Sequence, residues 1–99
     1  MNRDDIIERL KTVEPVLRAR GVGGLYLFGS YSRDEATSAS DIDVFVEAAQ
    51  ESFYDLSNYM AAYEDLVETF PGTRIGYSTR DGLSRSIRDS VERDAIRIF

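Results

Sequence analysis

Two carboxylates, Asp41 and Asp43, stand two residues apart in the run Ser40-Asp41-Ile42-Asp43-Val44. On an extended segment, side chains at i and i+2 share a face. At ~5–6 Å and an effective dielectric of ~20 their repulsion is about 3 kcal/mol. Such a pair needs water or a cation to offset it. The chain has no histidine and no cysteine. Oxygen donors alone favour magnesium or another hard divalent ion. By itself Asp-x-Asp is also an ordinary solvated strand start. Ten residues separate this pair from Gly29-Ser30. Glycine lets a backbone approach a ligand closely, and the following N–H groups and the Ser30 hydroxyl can bind phosphate oxygens. Alone, Gly-Ser is an ordinary turn. Together the two features meet the needs of phosphoryl or nucleotidyl transfer, which are to hold a triphosphate and to neutralise it with metal.

The elements that must position these residues are legible from periodicity. Asn2 is a predicted N-cap, with Asp4 and Asp5 in the first turn, where acids suit the helix dipole. Ile6, Leu10, Val13 and Leu17 recur at helical spacing. Pro15 interrupts that pattern and predicts a kink or restart near Glu14. Gly21 ends the helix. Leu25–Phe28 reads as a buried strand broken by Gly29-Ser30, and Tyr31–Ser40 as a loop with room for one helical turn. Asp41–Val46 reads as a second strand. Ser52 and Asp55 resemble a capping box. Phe53, Leu56, Met60, Tyr63 and Val67 then form a helical stripe, with Tyr59 and Phe70 at its edge. Thr73–Ser78 reads as a third strand, Leu83, Ile87 and Val91 as a last helix, and Ile96–Ile98 as a terminal strand. The expected fold class is α+β, a small mixed β-sheet with helices packed on it.

Ninety-nine residues allow one small domain, 1–99, burying roughly 60–65% of the surface of the unfolded chain. The net charge is −6, and residues 41–70 hold eight acids and no base. A phosphate backbone repels such a chain, so direct nucleic-acid binding is not expected. The acidic block reads as a solvated face or as a surface for a basic partner protein. No apolar run approaches the roughly 20 residues of a membrane helix, and no signal-peptide pattern opens the chain, so the expected location is the cytoplasm.

Leu27-Phe28-Gly29-Ser30-Tyr31-Ser32-Arg33 followed by Ser40-Asp41-Ile42-Asp43-Val44 resembles the Gly-Ser-x10-Asp-x-Asp motif of the minimal nucleotidyltransferase family. That family belongs to the DNA polymerase β-like superfamily and includes the MntA-type antitoxins. The opening Asn2–Ile7 and the closing Thr79–Leu83 and Ala95-Ile96 are also similar to it. The resemblance implies a polymerase β palm-like nucleotidyltransferase fold. It implies that Gly29 and Ser30 hold the triphosphate of a nucleotide such as ATP, and that Asp41 and Asp43 bind catalytic Mg2+. Arg33 becomes a candidate nucleotide-binding residue through a phosphate contact, or one half of a surface salt bridge. The resemblance also implies an antitoxin paired with a HEPN-type toxin in a homo- or hetero-oligomer, transferring AMP to a toxin tyrosine.

The chain departs from the family pattern at one place. The superfamily supplies a third carboxylate from the next strand, and the matching position here is Gly76. Loss of a positioned base typically costs about 10²–10⁴-fold in rate. Glu47 and Asp81 are the nearby acids that could substitute. The expectation is therefore an enzyme of reduced activity. The alternative is an inactive, nucleotide-binding antitoxin that neutralises its partner by binding alone.

Overall fold

The computed structural model describes residues 1–99. Helix α1 spans Arg3–Thr12 and opens with a reciprocal cap: Asp5 N–H donates to Asn2 Oδ1 at 2.9 Å and Asn2 N–H to Asp5 Oδ2 at 3.1 Å. The chain restarts as α2, Glu14–Ala19, with Pro15 in its first turn, where its missing N–H costs nothing. Gly21 closes it at φ +102°, a conformation glycine adopts without strain. Strand β1 (Val22–Phe28) starts three residues earlier than the apolar run suggested. Gly29–Ser32 form a helical turn, α3, in place of the expected plain break.

Strand β2 is Ile42–Ala48, so Asp43 lies on it and Asp41 immediately precedes it. A 3₁₀ turn (Glu51–Tyr54) leads to α4, Leu56–Thr69. Strand β3 (Ile75–Thr79), helix α5 (Arg85–Asp94) and the short strand β4 (Ile96–Arg97) complete the chain. The sheet order is β3-β2-β1-β4. Strand β2 runs antiparallel to β1 and parallel to β3, and β4 is antiparallel to β1, so the sheet is mixed with helices against it. That is the expected α+β class.

Register divides the sheet into two unlike faces. Leu25 pairs with Val46, and Leu27 with Val44, while Ile42 pairs with Ile75. This face is buried under Ile6, Leu10 and Leu17 of the first two helices and Ala62 and Leu66 of α4. The opposite face carries Asp43, Phe45 and Glu47 of β2 beside Phe28, Tyr26 and Gly24 of β1. Helix α5 and Leu83 pack on its Tyr26–Phe45 part, with Phe28 alongside. At the Asp43 end the adjoining element is the short α3 turn, with Gly29 against the carboxylate.

Two helix expectations need correction. Ser52 caps nothing: Asp55 occupies the N-cap position of α4 and makes no capping bond. The inward face of α4 is Tyr59, Ala62, Tyr63 and Leu66, whereas Leu56, Met60 and Val67 face outward. The physical reason is a lost phase. Phe53 is buried, but it sits on the 3₁₀ turn, and extended Asp55 separates that turn from the helix. A stripe counted from Phe53 therefore lands on the wrong side. Buried Ala62 and Leu66 set the inward face of α4, and Asp65 beside them pairs with Arg20 at 3.1 Å. Leu83 likewise stands ahead of α5 rather than within it.

Candidate active site

The site grows from one pairing in the sheet. Asp43 lies opposite Phe28 on one side and Gly76 on the other. Its carboxylate is held between two backbones that lack side chains. A Cβ added at Gly29 would overlap Asp43 Oδ2, and one added at Gly76 would overlap Oδ1. Gly29 also has φ +76°, so the turn needs glycine there twice over, for conformation and for space. The turn that could cradle phosphate is thereby placed directly against the acid that could hold a cation.

Charge is strained at this point. Partial burial raises the Asp43 carboxyl above its ordinary value, and the neighbouring Asp41 carboxylate raises it further, while Arg33 opposes both. Asp41 and Asp43 are thus close enough to repel, and their oxygen-only donor set suits a hard divalent ion. Asp41 also borders a polar cleft of about 300 Å³, lined by Ser38, Ser40, Gly72, Thr73 and Arg74.

The neighbouring residues sort clearly. Ser32, buried and overlooked in the sequence, closes the α3 turn by donating to Gly29 O at 2.8 Å. The Ser30 hydroxyl takes no part in that closure. Arg3 Nη1 donates to Ser32 O at 3.5 Å, a contact between α1 and α3. Arg33 pairs with Glu35 at 3.2 Å and with Asp94 at 3.9 Å, the salt-bridge alternative of the two expectations. Glu47 shares a face with Asp43 but is engaged by Arg80 at 2.9 Å. Asp81 accepts from the Tyr54 hydroxyl at 3.3 Å. No three acidic side chains gather as one metal-binding group. The signal that could have found the packing role of Gly76 is a general one: glycine inside a strand marks a close approach by another group.

The nucleotidyltransferase domain family matches residues 5–98. A provisionally named protein adenylyltransferase of Methanocaldococcus jannaschii is 31% identical over 96 residues, covering 95% of each chain. A second protein of that organism, with the same provisional name, is 27% identical over 96 residues and covers 96% of this chain and 99% of its own. Among solved structures, a provisionally described minimal nucleotidyltransferase superposes with a TM-score of 0.79 at 26% identity, over 97% of this chain and 95% of that one. A toxin–antitoxin crystallised with AMP-PNP superposes with a TM-score of 0.66 at 23% identity, over all of this chain and 73% of that one. The latter shares the fold.

Proposed function

The chain belongs to the nucleotidyltransferase domain family, and from that premise we propose that it transfers AMP from ATP to a tyrosine hydroxyl of a HEPN-type toxin, as the antitoxin of the pair. The observation that carries the reading is the lodging of Asp43 between Gly29 and Gly76 on the open face of the sheet. The relatives named as protein adenylyltransferases and the toxin–antitoxin neighbour with AMP-PNP support the substrate and the partner.

In this reading Asp41 and Asp43 hold Mg2+, and Gly29, Ser30 and Arg33 hold the triphosphate. When bound, the metal ion supplies charge neutralisation at the phosphates. The glycine turn lets those phosphates approach the backbone, and Ser30 offers a hydroxyl donor. The acceptor oxygen attacks the α-phosphorus, the bond to the bridging oxygen breaks, and pyrophosphate leaves. The hydroxyl proton must go to a base, and the position that would offer a third carboxylate is Gly76. With Glu47 and Asp81 engaged elsewhere, proton removal falls to solvent and the rate is low. The same observation favours a second reading, in which the chain binds nucleotide without transfer and neutralises its partner by occlusion.

The test incubates the purified protein with α-labelled ATP, Mg2+ and the product of the neighbouring gene. Label on the partner that Asp41→Asn abolishes supports transfer. A stable complex without label supports occlusion. Neither label nor complex would refute both.

A further inference from the structure

We infer that the outer face of α4 is a docking surface for a basic amphipathic helix of another protein, remote from the carboxylate pair. Leu56, Met60 and Val67 recur at spacings of four and seven, which is one stripe of a helix, and Tyr63 borders it at the edge of the inward face. Leu56 is 75% exposed, Met60 40% and Val67 38%, so each side chain of the stripe presents apolar surface to solvent. Tyr63 joins it to the rest of the fold by packing on Tyr77 of β3, with ring centres 5.5 Å apart. Strand β3 is itself a sheet edge. The row therefore lies on the outer surface of α4, near the β3 edge of the sheet.

Charge identifies the occupant. Glu64 and Glu68 follow on the same side of the helix, and Glu51 and Asp55 stand at its start. All four are exposed. The chain's ion pairs engage none of them, and residues 41–70 offer no lysine or arginine. A second copy would bring the same carboxylates against them. Helix α5, which has no buried residue, is a poor complement, because Arg85, Arg88 and Arg93 are balanced by Asp89, Glu92 and Asp94. An anionic lipid surface is repelled. A helix from another protein, with an apolar stripe bordered by lysine or arginine, satisfies both the row and its acidic rim.

The inference stands whether or not transfer occurs. Helix α4 packs on the Val44–Val46 face, and Asp43 lies on the other. A helix docked here leaves the carboxylate pair open, so a partner could be held at one place and modified at another.

The experiment uses the full chain and a fluorescent leucine–lysine peptide of about five helical turns, with leucines on one face. Anisotropy should show binding that weakens with salt. The variant Leu56→Ser/Met60→Ser/Val67→Ser should bind about tenfold more weakly. Glu64→Lys/Glu68→Lys should lose a similar factor while leaving the apolar row intact. A leucine–glutamate peptide should not bind, and Asp41→Asn should bind like wild type even where labelled-ATP transfer is lost. Equal binding by the serine variant, or equal binding of a serine–lysine peptide without leucine, would overturn the inference. So would sedimentation showing a wild-type dimer that the serine substitutions dissociate, since a second copy would then occupy the row.

Discussion

Asp43 is costly to the fold and central to the proposed chemistry. Its carboxylate is partly buried, faces Asp41, and has only Arg33 to relieve it. The folded-state value is raised, so the folded protein holds this proton more tightly than the unfolded chain. The cost is absent below the ordinary carboxylate range, grows as pH rises through it, and is complete above the raised value. Asp43→Asn should therefore melt a few degrees higher than wild type at neutral pH in the absence of metal, by calorimetry. The difference should vanish in acid. A wild type that melts higher at neutral pH would contradict this account. Gly76→Asp makes the complementary test. The new side chain must displace Asp43 Oδ1, so the metal-free protein should be less stable. With Mg2+ present, transfer should rise by about 10²-fold or more if a missing base limits the rate. No gain in a folded variant would show that the third acid is not what limits it.

At the level of elements, the turn α3 depends on the strands beside it. Gly29 reaches φ +76° at the end of β1, Ser32 closes the turn, and Arg3 ties it to α1. The α1 cap is the local feature read most directly from sequence, because Asn2 and Asp5 need only each other. Asn2→Ala should cost about 1 kcal/mol in denaturant unfolding, with m unchanged. The restart at Pro15 was equally legible, since a missing N–H is tolerated only in a first turn. The orientation of α4 was not. Its apolar residues occupy two stripes, and choosing between them required knowing that the 3₁₀ turn breaks the phase.

For the molecule as a whole, the division of labour between the two sheet faces decides where chemistry can occur. One face is sealed by three helices. The other carries α5 over Tyr26 and Phe45, with Phe28 alongside; the Tyr26 and Phe45 rings stack at 4.7 Å, with Arg80 above Tyr26 at 4.9 Å. Phe45 is fully buried between the charged residues Asp43 and Glu47 of its own strand face. Phe45→Ala should destabilise the protein by about 3–5 kcal/mol in chemical unfolding. A loss under 1 kcal/mol would mean that this face contributes little to the core. No helix is long and apolar enough to cross a membrane.

The sequence by itself determined the α+β class, the restart at Pro15, the cap at Asn2 and the family motif. Each rests on residue identity or on contacts within a few positions along the chain. Tertiary structure alone decided that Gly29 and Gly76 grip one carboxylate from both sides, that Glu47 is taken by Arg80, and which side of α4 faces water. Those outcomes depend on strand register and on the rotation of a helix against a sheet, where residues distant in the chain compete for the same space.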